Sequence, residues 1–211
     1  MSAVNVARLE RAALCDLFTD LGPDQPTLCE GWTTRDLAAH LVIRERRPDA
    51  AVGIVVKPIS GHTEQVRVAA AKRPFDELIT QFRHPPFWST GGSSLLDRVT
   101  NTLEFFIHHE DVRRAQPDWQ PRELSRDVAK ALWNGVPGAA RLGLRRFPAG
   151  VEITAPGYGQ ARAGNGDVLV RITGDPGELA LFLSGRQDVA RVEVSGPEEL
   201  TAKLRRARLG L

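Results

Sequence analysis

The stretch LEFFIHHEDVRRA, Leu103–Ala115, decides how the first part of this chain is interpreted. It contains neither glycine nor proline, and its composition predicts a helix that carries histidines and carboxylates close together. Each residue advances about 100° around a helix axis, so Glu104, His108 and Asp111 share one face, whereas His109 points elsewhere. The pattern therefore selects three side chains that can act together.

Glu104 and His108 lie one helical turn apart, a spacing suited to binding one divalent metal ion. Zinc binds imidazole nitrogen and carboxylate oxygen, and catalytic zinc sites use three protein ligands plus an open position. His40, among apolar residues of another predicted helix, is the best candidate for the third ligand. His62 and His84 are poorer candidates because they lie near glycine or proline in predicted loops. A surface ion pair has the same spacing, so spacing alone leaves both interpretations open.

Size and charge narrow the class of protein. The chain has 211 residues, enough for one large domain or two small ones with a buried core. Its formal net charge is +2, which argues against a nucleic-acid partner. We expect a cytoplasmic protein with no membrane partner, because no signal peptide or membrane-spanning apolar run is recognisable and the two cysteines form no disulfide framework. The expected oligomeric state is a monomer or a homodimer. The excess of arginine over lysine indicates a GC-rich, actinobacterial type of genome.

Hydrophobic periodicity divides the chain near residue 147. The preceding part predicts helices, including Val4–Leu21, a helix capped by Thr33 and another over Leu95–Ala115. The following part has short β-branched runs separated by glycine, which predict a meander of strands with two further helices. The predicted fold class is α+β, with a helical bundle over residues 1–147 and a small α+β domain over 148–211.

Three segments resemble a known family. CEGWTTRDLAAHL (29–41) is similar to a GW-x-x-x-D-L-x-x-H signature, and residues 103–115 contain its later E-x-x-x-H half. GDPGELALFLSGR (174–186) is similar to the small domain that follows the bundle. Together they resemble the DinB-like, mycothiol-dependent maleylpyruvate isomerase-like family, whose fold is a four-helix bundle followed by that domain.

The resemblance implies a divalent metal, commonly zinc, held by His40, Glu104 and His108. It also implies mycothiol as thiol cosubstrate, which acts on a small electrophile by isomerisation or S-transfer. Arg186 best matches a family arginine and is expected to bind a carboxylate of the substrate or thiol. Asp111 is expected to orient His108 from behind, or alternatively to pair with a neighbouring arginine. Two other functions stay open: a metal-dependent hydrolase and a non-catalytic protein that binds a metal or ligand.

Overall fold

The computed structural model describes residues 5–50, 60–86 and 95–210, without the side chains of residues 95–100. The chain forms two compact units: residues 7–121, and residues 122–210 together with Asn5 and Val6. The predicted loop over residues 84–94 lies mostly outside the described residues. The described helices include none long and apolar enough to cross a membrane.

The N-terminal unit is helical, as predicted. Its helices are α1 (Val6–Leu21), α2 (Thr34–Arg46), α3 (Ser60–Ala71), α4 (Phe75–Arg83) and α5 (Leu95–Arg113). Leu14 and Phe18 of α1, Leu41 of α2, Phe82 of α4 and Phe105 of α5 are almost fully buried in one core. This shared core fixes the positions of α2 and α5, the two helices that carry the predicted metal ligands.

The start of α2 is fixed by a capping box, which confirms the predicted cap. The Asp36 carboxylate accepts a hydrogen bond from the Thr33 backbone N–H at 3.0 Å and another from the Thr33 hydroxyl at 2.9 Å. A helix that begins at a defined residue also has a defined rotation, because each cap fixes the first turn. The cap therefore helps to orient His40, two turns further along α2.

The C-terminal unit combines helices with one sheet. Its elements are α6 (Arg126–Gly143), β1 (Gly150–Ala155), β2 (Gly159–Gly164), β3 (Val168–Thr173), α7 (Pro176–Leu183), β4 (Glu193–Ser195) and α8 (Glu198–Arg205). The long helix α6 packs against α7 and β2. For this reason the units separate between residues 121 and 122, whereas the sequence prediction placed the boundary between 147 and 148.

The sheet has the strand order β2-β1-β3-β4, so the predicted meander is wrong. Strand β1 pairs with β2 in antiparallel and with β3 in parallel orientation. The short link from β2 to β3 passes beside the start of β1, where the Gly150 N–H donates to the Asp167 carbonyl at 2.8 Å. A Cβ atom at Gly150 would lie 2.6 Å from that carbonyl oxygen, so this crossing requires glycine.

Candidate metal centre

Three predicted ligands converge in the N-terminal unit. His40 comes from α2, and Glu104 and His108 come from α5. One ligand atom from each lies within 4.8 Å of the other two. Glu104 Oε1 is 3.6 Å from His40 Nε2 and 3.4 Å from His108 Nε2. Two imidazole nitrogens and one carboxylate oxygen are thus close enough together to bind one ion.

Aromatic packing fixes the ring of His40. The centroid of its ring is 5.1 Å from that of Trp32 and 5.3 Å from that of His108. The Arg67 guanidinium packs over the Trp32 ring, 4.8 Å from its centroid, and forms an ion pair with Asp36. Trp32 therefore connects Asp36, the capping residue of α2, with the cluster of candidate ligands.

The opposite nitrogen of His108 is held by Asp111. Asp111 is fully buried, and its Oδ2 lies 2.9 Å from His108 Nδ1. Such a contact fixes the ring and its tautomer, and leaves Nε2 directed at Glu104 and His40. The neighbouring cations Arg113 and Arg114 donate to Glu110. Asp111 thus lies within hydrogen-bonding distance of His108, and its orienting role stays a prediction.

Cys29 also belongs to this cluster, which sequence reasoning did not anticipate. Its Sγ donates to Asp111 Oδ2 at 3.3 Å and lies 3.9 Å from His108 Nδ1. The preceding Leu28 N–H donates to the Asp111 carbonyl at 3.0 Å, which pins this loop to α5. Because thiol and carboxylate face the same imidazole nitrogen, this is not the Cys–His–Asp order of a nucleophilic relay. The one sequence signal for this contact is that Cys29 opens the CEGWTTRDLAAHL segment, which also contains His40.

The three ligands differ in protonation. Burial lowers the pKa of His40, so this ring is neutral and able to bind a metal. Burial acts to raise the pKa of Glu104, but contacts with His108 and His40 outweigh it and hold the pKa well below its usual range. Burial acts to lower the pKa of His108, but Asp111, Cys29 and Glu104 raise it well above its usual range. A proton on His108 therefore competes with a metal ion for the same nitrogen.

The other histidines have different partners. His109, one position from a ligand, is buried against α1, where its Nδ1 lies 2.8 Å from Glu10 Oε2. His62 lies in the first turn of α3, not in a loop as predicted, and its Nε2 is 3.1 Å from Asp49. His84 follows the last residue of α4. None of these three belongs to the groups of potential metal ligands found among the described residues.

Arg186 lies in the C-terminal unit, in the turn that follows the C-cap Ser184 of α7. Its Nη1 donates to the Ser184 carbonyl at 2.5 Å, and its backbone N–H donates to the Leu181 carbonyl at 3.0 Å. These bonds place Arg186 in the tight turn that ends α7. A role in binding a carboxylate stays a prediction for this residue.

The fold and the cluster define a class of protein: a helical bundle with a site of two histidines and one glutamate, followed by a small α+β unit. Residues 6–85 match the family model of the mycothiol maleylpyruvate isomerase N-terminal domain, which confirms the family resemblance that the sequence indicates. Of the three ligands, only His40 lies within the matched residues. Glu104 and His108 are therefore supported by geometry and not by this match.

Two solved structures are similar to this chain over most of its length. One is a crystal structure of a mycothiol-dependent maleylpyruvate isomerase, with 15% identity, 90% coverage of each chain and a TM-score of 0.59. The other is a histidine-to-alanine mutant of a protein with the same name, with 14% identity, 90% coverage of each chain and a TM-score of 0.60. At such identities the likeness shows the fold. No curated protein sequence matches the chain.

Proposed function

We propose that this chain is a divalent-metal-dependent enzyme, with zinc as the expected metal, that uses a low-molecular-weight thiol such as mycothiol. Its reaction would be isomerisation of a small electrophile by addition and elimination of the thiol, or S-transfer, in which the thiol displaces a leaving group of the electrophile and stays attached to it. The convergence of His40, Glu104 and His108 within 4.8 Å carries this proposal. The family match and the similar fold of the mycothiol-dependent isomerase support the choice of thiol.

The donor set fits a catalytic zinc site. Two imidazole nitrogens and one carboxylate oxygen are typical zinc ligands, and three protein ligands leave a position for a further one. The lowered pKa of His40 favours the neutral ring that a metal needs, and the lowered pKa of Glu104 favours its carboxylate form. At His108 the metal would displace the proton that the raised pKa of this ring favours. When bound there, a divalent metal lowers the pKa of a coordinated thiol, so that the thiol reacts as thiolate near neutral pH.

The chain's own side chains would have three tasks. His40, Glu104 and His108 hold the metal, and Asp111 holds His108 in the tautomer that presents Nε2. Burial of both histidines limits the access of water to the cluster. Arg186 would bind a carboxylate of substrate or thiol through its planar guanidinium, a role that the family resemblance suggests.

Metal analysis of the purified chain tests the proposal. We expect about one equivalent of zinc in the wild type and none in the His40→Ala, His108→Ala double variant, by analogy with catalytic zinc sites. His62→Ala is the matched control, because His62 is half exposed and pairs with Asp49 outside the cluster. Titration with mycothiol should then show binding only in the metal-loaded protein.

The outcomes separate the candidate functions. Wild-type protein that takes up no zinc after incubation with the metal would refute the site. Zinc binding with turnover of an ester or amide in the absence of thiol would favour a hydrolase. Metal that is fully coordinated and accepts no exchangeable ligand would favour a non-catalytic binding protein.

A further inference from the structure

A guanidinium group borders the metal cluster. Arg44 follows His40 by one helical turn on α2, and its Nε lies 3.3 Å from Glu104 Oε1. That oxygen is the same atom that faces both histidines. The Arg44 side chain is only 15% exposed, so this cation is kept largely out of water next to the ligands.

The contacts of Arg44 use only part of its hydrogen-bonding capacity. A guanidinium has five N–H donors. Among the described residues, Nε faces Glu104 and Nη1 donates to Asn101 Oδ1 at 2.9 Å. These contacts fix the plane of the group from two sides and do not involve Nη2. Arg44 is thus held in position by these two contacts, and its Nη2 can still donate hydrogen bonds to an anionic ligand.

The charge of the cluster favours such a ligand. With neutral imidazoles, a divalent metal would balance the carboxylates of Glu104 and Asp111. Arg44 then leaves the centre with a net positive charge, in surroundings where burial strengthens electrostatic interactions. An anion next to the metal would therefore be favoured over a neutral molecule of the same shape.

We propose that Arg44 is a specificity-determining residue of this site and binds a carboxylate of the electrophilic substrate held at the metal centre. The inference rests on the proposed function, because it assumes a metal at His40, Glu104 and His108. It differs from the role expected for Arg186, since Arg44 lies in the same unit as the ligands. Planar guanidinium groups suit carboxylates because two parallel N–H bonds can form.

The test uses the cobalt-loaded chain and two thiols of similar length. Cobalt(II) bound to a thiolate has an intense near-ultraviolet absorption, which reports binding of 3-mercaptopropionate and of 2-mercaptoethanol. Both bind the metal as thiolates, and only 3-mercaptopropionate also has a carboxylate. We expect Arg44→Gln to weaken binding of 3-mercaptopropionate about tenfold, as expected for a part-buried charged hydrogen bond. Binding of 2-mercaptoethanol should weaken less, because that thiol has no carboxylate to lose its partner. Loss of the Arg44 charge acts on both bound thiolates alike, so the ratio of the two affinities reports the contact with the carboxylate.

Two further variants sharpen the result. Arg44→Lys keeps the charge without the planar donor arrangement and should have an intermediate effect. Arg47→Gln is the matched control: it removes the same charge three residues later, from a half-exposed side chain that pairs with Asp49. It should leave the preference for the anionic thiol unchanged.

Failure of the inference and failure of the proposed function give different results. If both thiols produce the cobalt–thiolate band and Arg44→Gln leaves their relative affinities unchanged, Arg44 does not bind carboxylates. If neither thiol produces the band, the proposed thiol chemistry is refuted. In that case, binding of propionate is measured through the visible absorption bands of the bound cobalt. The inference holds only if Arg44→Gln weakens this binding and Arg47→Gln does not.

Discussion

Replacing Asp111 by asparagine should weaken metal binding while leaving the shape of the site intact. Asparagine has nearly the same volume, and its amide oxygen can still accept from His108 Nδ1, now 2.9 Å from Asp111 Oδ2. The substitution removes the negative charge behind the imidazole. Since that charge makes His108 a better donor to a metal, affinity must fall even where the ring keeps its orientation.

The expected magnitude follows from the kind of contact. Loss of a partner behind a metal-binding histidine lowers metal affinity about 10- to 100-fold, and the conservative change to asparagine belongs at the lower end. Asp111 also raises the pKa of His108, so its removal weakens the proton that competes with the metal. Below the pKa of His108 the two effects partly cancel. The loss of affinity should therefore grow as the pH rises.

Competition with a chelator of known zinc affinity, repeated at several pH values, measures this effect. Glu110→Gln is the matched control, because it removes an equally buried charge one residue away that pairs with Arg113 and Arg114. Unfolding of each metal-free variant separates loss of stability from loss of affinity. An Asp111→Asn variant with wild-type zinc affinity at every pH would show that the carboxylate does not support His108.

Three other predictions concern stability. Burial raises the pKa of Cys15 to about 11, whereas the thiol in the unfolded chain has a pKa near 9. Between these two values the thiol ionises mainly in the unfolded chain, which stabilises that state. The free energy of unfolding of the wild type should therefore fall by roughly 2 to 3 kcal/mol more than that of Cys15→Ala between pH 8 and 11. Arg11→Ala strands the buried Glu45 carboxylate and should lower the free energy of unfolding in urea by about 3 to 5 kcal/mol, whereas Arg11→Met with Glu45→Leu should recover most of it. Gly150→Ala should lower the melting temperature through a loss of about 1 to 3 kcal/mol, because its Cβ meets a backbone oxygen at 2.6 Å. Gly138→Ala, within α6 and in open space, should raise it. The first expectation is contradicted if the wild type and Cys15→Ala lose stability equally as the pH rises. The second is contradicted if Arg11→Ala keeps the wild-type free energy of unfolding, and the third if Gly150→Ala and Gly138→Ala have the same melting temperature.

The helices of the N-terminal unit were predictable because their signals are local. The Thr33–Asp36 cap, the proline before α4 and the apolar spacing of α1 each lie within a few residues of the element they define. Strand order in the second unit was not predictable in this way. The choice of β3 to pair with β1 and not with β2 depends on a crossing made possible by Gly150. Nothing in the alternation of the strands specifies that choice.

The same distinction applies to the candidate site. Helical spacing selected Glu104 and His108, and the position of His40 among apolar residues indicated an inward-facing ring. Arg44 lies one turn after His40, but spacing alone does not show which side chain of another helix it contacts. The contact of Cys29 with Asp111 was not predicted, because the two residues are far apart in the chain. Such long-range polar contacts need the fold.

The position of His108 between two carboxylates explains how one cluster can be stable in two chemical states. Its Nδ1 faces Asp111 and its Nε2 faces Glu104, so a protonated ring satisfies both acids. A divalent metal held by His40, Glu104 and His108 would take the place of the proton at Nε2, and His108 Nδ1 would keep its contact with Asp111. Asp111 would thus contact the His108 ring both with the proton and with the metal, whereas Glu104 would face the protonated ring in one state and the metal in the other. With Arg44, Glu104 and Asp111 counted, the formal charge is zero when His108 is protonated and +1 when a divalent metal takes the place of the proton. Uptake of the metal would therefore favour binding of an anion at the same centre.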